Sequence, residues 1–268
     1  MCQPEKAPKG IRWDDLTALN KWDIFRELTL PLPWLALSLA LYTSAMWPLG
    51  AIASFMFFLC ALRLNHEAIH GNLDLPRRWD YRVMHGLSAI MLGSNTADAF
   101  CHLKHHKHSG GPEDYEGKCS HMRWYAVLAY GPKFPIDLNR AALQHGGPNW
   151  RKRVQIDWLC ITLFVGLCAA LNHPALWLHI AAMSLAQCLT AFFAVWITHQ
   201  GTHGSGLAGR SQRGVLARIA YLMFYHREHH LYPRVPVSRL PKLAGRLDRQ
   251  APGYAASRVP VIPWLEIA

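Results

Sequence analysis

Two stretches of this chain, Leu28 to Leu62 and Trp158 to Gly209, contain no Asp, Glu, Lys or Arg. An isolated charge in hydrocarbon costs several kcal/mol, so charge-free runs of this length mark segments built for lipid. One transmembrane helix takes roughly 20 residues, so each run is too long for one crossing and suits two. Two helical hairpins are therefore expected. The first runs from Leu28 to about Met46, turns at Trp47, Pro48, Leu49 and Gly50, and returns from Ala51 to Leu64. The second runs from about Ile156 to Leu171, turns at Asn172, His173 and Pro174, and returns from Ala175 to Thr198. An apolar share of 51% in 268 residues, high for a water-soluble chain, agrees with this reading.

The basic residues orient the hairpins. All 28 Lys and Arg lie in 1–27, 63–157 and 210–268, and neither tight turn holds one. Short cytoplasmic segments carry the excess of Lys and Arg, so these three segments and both termini are expected on the cytoplasmic side. The formal charge of +11 then reflects topology and attraction to anionic headgroups. Nucleic-acid binding is set aside, because the basic residues are spread over three membrane-proximal segments without an accompanying motif. The charged, amphipathic N-terminal segment shows no cleavage site after a short apolar core, so no removed signal peptide is expected. Seven cysteines without paired spacing suggest packing rather than a disulfide framework or a thiolate zinc site. The whole chain, 1–268, reads as one domain.

Three histidine clusters carry the chemistry. "HEAIH" holds His66 and His70, "HLKHH" holds His102, His105 and His106, and "HREHH" holds His226, His229 and His230. On a helix, residues three and four apart share a face, so each cluster can direct its imidazoles toward one point. An even number of crossings separates the clusters, which places all eight on the cytoplasmic side. The expected fold is all-α and integral to the membrane: four transmembrane helices as two hairpins, with a cytosolic helical cap carrying the histidines. Neutral imidazole binds first-row transition metals, and eight imidazoles exceed what one ion can use. Softness alone distinguishes little between zinc, iron and copper. Two other readings compete. A metal transporter would need polar ligands near the bilayer midplane, where the runs offer only a few Ser, Thr and Gln. A bis-histidine haem protein would need facing histidines within two helices of a bundle, whereas these clusters lie at helix ends.

In order and spacing, His-x-x-x-His, His-x-x-His-His and His-x-x-His-His resemble the three histidine boxes of the membrane fatty-acid desaturase superfamily. The run "EHHLYPRVPVSRLPKL" after the third box is similar to bacterial members, and the resemblance covers roughly Leu28 to Leu243. It implies a bacterial inner-membrane enzyme with a non-haem centre of two iron ions, using O2 and two electrons on an unactivated C–H bond of an acyl chain or similar lipid. The eight box histidines would be ligands. A further ligand near the cytosolic end of the last crossing is implied, for which "WITHQGTH" offers His199 or His203; His199, nearer the helix end, is preferred. Fatty-acyl desaturation is the expected reaction, with lipid hydroxylation or carotenoid ketolation as the alternative within the same superfamily.

The chain also departs from some relatives. No His-Pro-Gly-Gly cytochrome b5 signature is present, which implies a separate electron donor, a ferredoxin or cytochrome. Position 195 is Val where animal acyl-CoA desaturases carry an asparagine. Metal-bound histidines generally donate their second ring N–H to an acceptor. Glu67 and Glu228 inside boxes one and three, and Asp98 and Asp114 near box two, are candidates for that role or else ordinary exposed carboxylates. His85, His121, His145, His173 and His179 read as structural, while His108 adjoins a cluster but lies outside its motif.

Overall fold

The computed structural model describes residues 5–44, 46–202 and 205–262, and among these every regular element is helical. Helices α1 (Lys21–Thr29) and α2 (Leu32–Thr43) together make the first crossing, interrupted at Pro31. Asn20 starts α1 by accepting a hydrogen bond from the Asp23 backbone N–H at 2.9 Å. The second crossing, α3 (Trp47–His70), corrects the expected turn. Trp47 to Gly50 form its first helical turn, and the reversal falls between Thr43 and Trp47. Proline at the start of a helix loses no hydrogen bond that the helix needs, so Pro48 begins α3 instead of breaking it. The helix also continues past Leu64, stopping at Gly71 (φ 69°) immediately after His70.

Glu27 and Arg63, the charges that bound the first charge-free run, are partners. Arg63 Nε donates to Glu27 Oε2 at 3.0 Å and its Nη2 donates to Oε1, with both side chains buried. Tyr42 Oη and Ser54 Oγ meet at 2.9 Å farther down the hairpin. Gly50 lies against the Tyr42 ring, where a Cβ would come within 2.5 Å.

A second helical hairpin, α4 (Arg77–Met91) and α5 (Asn95–His108), follows box one. After α6 (Trp124–Tyr130) and α7 (Phe134–His145) come the last two crossings, α8 (Gly147–Leu171) and α9 (Pro174–His199). α8 begins well before Ile156, so its first turns stand in the charged region. Its junction with α9 falls where expected, with Asn172 at φ 44° and His173 Nδ1 accepting from the Ala175 backbone N–H at 3.2 Å. Leu159, Leu163, Leu167 and Leu171, each more than half exposed, form an outward stripe along α8 suited to lipid.

The α4–α5 tip is held by α8 and α9. Carbonyls of Ile90 and Met91, at the end of α4, accept from His179 Nε2 (3.0 Å) and Gln187 Nε2 (2.9 Å). The Asp157 carboxylate accepts from Ser94 Oγ (2.7 Å), the Thr96 backbone N–H (2.9 Å) and His85 Nδ1 (2.5 Å). Helix ends removed from water need such partners for their free N–H and C=O groups.

Short helices α10 (Gly214–Ile219), α11 (His226–Leu231), α12 (Leu240–Gln250) and α13 (Pro252–Ala256) complete the cap. Leu240, Leu243 and Leu247 of α12 pack with Ile11 and Leu16 in a core beneath α11. The protein is thus an all-α integral membrane protein whose four crossings form two hairpins under a helical cap.

Candidate metal centre

Nine histidines converge where the C-terminal ends of α3 and α9 meet α5 and α11. One group comprises His66, His70, His102 and His229; the other comprises His105, His199, His226 and His230. Within each group, one ring nitrogen per residue lies within 4.8 Å of all the others. His106 stands between them, its Nε2 at 3.1 Å from His102 Nε2 and 2.9 Å from His229 Nε2, and its ring stacked on His230. Helical spacing explains the division: on α11, His226 and His230 are one turn apart and serve one group, while His229 turns toward the other. None of the nine is fully exposed, so the clusters are not a solvated helix face.

The tautomers make these groups fit a metal. His105 Nδ1 donates to both Asp114 oxygens at 2.9 Å, and His199 Nδ1 donates to the Val195 carbonyl at 3.1 Å. In rings that carry their one proton on Nδ1 the Nε2 atoms are bare lone pairs, and these face each other at 3.0 Å. Facing lone pairs repel, and a cation between them removes the conflict. Two imidazole nitrogens bound at right angles to one ion at about 2.0–2.1 Å stand roughly 3 Å apart. Nε2 separations of 2.9 to 3.2 Å between neighbouring histidines in both groups match that edge, and all the ring nitrogens of a group lie within 4.8 Å of one another. Burial and neighbouring imidazoles push His106, His226, His229 and His230 well below the ordinary histidine range, toward the neutral, ligating form.

Two carboxylates hydrogen-bond histidines of the two groups directly. Burial would raise Asp114, but its bond to His105 and the backbone N–H groups of Gly110 and Gly117 hold it below the usual carboxylate range. Glu116, which the motif reading did not single out, accepts from His102 Nδ1 at 3.0 Å and is also held low, by His102 against its burial. Its signal was the carboxylate-rich turn "PEDYE" after box two, of which only Asp114 had been chosen. Glu67 is buried and lies 3.7 Å from His66 Nδ1, but its hydrogen bond comes from the Val237 backbone N–H. Glu228 also faces away from the imidazoles, accepting from Ser211 Oγ at 2.7 Å and pairing with Arg213. The Asp98 carboxylate makes no hydrogen bond among the described residues; burial, with Glu116 and Asp157 nearby, pushes it up to about 8.

His203 lies outside the described residues. His108 stays outside both groups, near Glu113, and His145 stacks on Tyr115. At position 195, where the asparagine is missing, it is the backbone carbonyl of Val195 that accepts from His199 Nδ1 at 3.1 Å. Ala191–Trp196, just before this ligand candidate, is a π-helical segment, the kind of helix irregularity that often marks functional sites.

A cavity of about 270 Å³ opens beside the histidines. Phe55, Leu59, Leu62, Phe134, Phe193 and Met223 contribute to its largely apolar wall, and it reaches His66, His102 and His226. Sequence reasoning had named His66, Asp98, His102 and His226, which reach this cavity, but none of its apolar lining residues.

The family model described as fatty acid desaturase matches residues 42–261. A beta-carotene ketolase from Paracoccus sp. strain N81106 is 25% identical over 236 residues, covering 78% of this chain and 88% of the relative. Another beta-carotene ketolase, from Paracoccus sp. strain PC1, is 25% identical over 228 residues, covering 76% and 86%.

Proposed function

From the premise that the chain belongs to the fatty acid desaturase family, we propose that it is a membrane oxidoreductase using O2 and two iron ions to oxidise an unactivated C–H bond of a long apolar lipid. The observation that carries this reading is the meeting of two four-histidine groups with an apolar cavity that reaches both of them. Each group would hold one ion, with His106 Nε2 placed toward the first. With iron bound, such a centre supplies the redox chemistry that activates O2. Asp114 and Glu116 keep the Nδ1 protons on His105 and His102, so that their Nε2 lone pairs face the metal positions. The apolar wall keeps water from the reacting carbon.

For the product, oxygen insertion as a hydroxyl or keto group is supported at least as well as the desaturation expected from the boxes, because both relatives above are named ketolases. Desaturation stays as the second reading, favoured by the family's own description. Electrons come from a separate ferredoxin or cytochrome. The distribution of Lys and Arg supports a bacterial inner-membrane location with both termini cytoplasmic.

Expression in a host making both fatty acids and carotenoids, followed by mass spectrometry of total lipid under 18O2, tests the reading. Gain of labelled oxygen supports ketolation or hydroxylation, and loss of two hydrogens from an acyl chain supports desaturation. No oxidised lipid from an iron-loaded protein, or a Soret band in the purified protein, would overturn the proposal.

A further inference from the structure

The cavity wall contains two polar groups that the metal centre does not use. Asn65, on α3 immediately before His66, is 3% exposed, lines the cavity, and its Oδ1 has no hydrogen-bond partner among the described residues. Asp98, on α5 one turn before His102, lines the same cavity, and its carboxylate makes no hydrogen bond among the described residues. Both line the same cavity as His66 and His102, whose rings, 5.1 Å apart, belong to the first histidine group. Other polar residues of the wall are committed: Thr190 and Thr198 donate to helix carbonyls, and Glu116 accepts from His102. An amide and a carboxyl left without partners in an apolar wall are disfavoured unless something that enters supplies the hydrogen bonds.

We infer that the substrate carries a hydroxyl or carbonyl oxygen beside the carbon to be oxidised, and that Asn65 and Asp98 hold it. This rests on the C–H oxidation reading and deepens it. A pure hydrocarbon such as beta-carotene, the molecule in the relatives' names, would leave both groups unpartnered. A hydroxylated carotenoid and a hydroxyacyl chain offer the same chemistry. In either case the bound oxygen fixes which C–H bond faces the histidines, making Asn65 and Asp98 specificity-determining residues.

The test uses full-length protein in lipid nanodiscs and two matched pairs of probes: beta-carotene with its 3-hydroxylated derivative, and stearate with a hydroxystearate. Probe retained after gel filtration is quantified by mass spectrometry, and the same pairs are offered to cells expressing the protein. The expected result is retention of the hydroxylated member of one pair at about tenfold or more over its parent, since a site built to bond a hydroxyl rejects the analogue lacking it. Asn65→Leu and Asp98→Leu should each collapse that preference; Asn65→Ser and Asp98→Ser read the same ratio if the leucine variants fail to assemble. Equal retention within both pairs, retention of neither member, or a preference that survives the substitutions overturns the inference. Loss of turnover on parent and derivative alike, without a change in the retention ratio, assigns the two groups to water at the metal centre and also overturns it. Selective retention without any oxidised product would instead sink the C–H oxidation reading and leave the binding inference standing.

Discussion

Asp114→Asn tests whether the two histidine groups are separate metal sites. The carboxylate accepts from His105 Nδ1 at 2.9 Å through both oxygens, and from the backbone N–H groups of Gly110 at 2.8 Å and Gly117 at 2.7 Å. An amide has one acceptor oxygen, and its NH2 would face donors it cannot satisfy. A hydrogen bond to a charged group contributes about 1.5–3 kcal/mol, and loss of a histidine's orienting partner lowers metal affinity by about 10–100-fold, or roughly 1.4–2.7 kcal/mol. That loss should fall on the group containing His105, because Asp114 touches no histidine of the other group. Glu116→Gln provides the mirror case through His102. Titrating metal-free protein with Co(II) against a competing chelator, followed by absorbance, resolves two binding steps. Asp114→Asn should weaken one step 10–100-fold and leave the other within roughly threefold, Glu116→Gln should weaken the other step, and the double variant should weaken both nearly additively. If both single variants weaken the same step, or neither step moves, the division into two sites is wrong.

Elemental analysis of iron-reconstituted protein should give two iron atoms per chain, and a value of one or none counts against the nine-histidine centre. Replacing any one of His66, His70, His102, His105, His106, His226, His229 or His230 by Ala should abolish lipid oxidation while the protein still fractionates with membranes, because the crossings are held by lipid and helix packing; substantial turnover in His229→Ala would remove box three from the centre. His173→Ala should keep activity and lose only a helix cap of about 1 kcal/mol, visible in thermal melts in detergent. Glu27→Ala leaves Arg63 buried without its carboxylate and should destabilise the protein by about 3–5 kcal/mol, while Glu27→Met with Arg63→Met recovers most of the melting temperature; unchanged melting of the single variant would show that the pair contributes little.

The number of crossings, their pairing into hairpins and the identity of the clustered histidines were legible in one dimension. Their signals are local: a charge within a crossing is intolerable to lipid wherever the helix goes, and three- or four-residue spacing aligns side chains on any helix. The same logic misplaced the first reversal, because Pro48 and Gly50 read as a turn from composition alone, whereas a proline at a helix start and a glycine under the Tyr42 ring depend on where the preceding helix ends. Candidate carboxylates show the limit most plainly. Of the four near the boxes, Asp114 meets a ligand-candidate ring through a hydrogen bond, Glu67 and Glu228 are occupied elsewhere, and Asp98 faces the cavity. Glu116, with no periodic relation to His102, holds that ring. Tertiary structure alone divided the histidines into two groups, bonded the α4–α5 tip to His179 and Gln187, and exposed Asn65 and Asp98 to one cavity. The reason is physical: hydrogen-bond partners are set by distance and direction in space, and for a carboxylate on a turn neither follows from its separation along the chain.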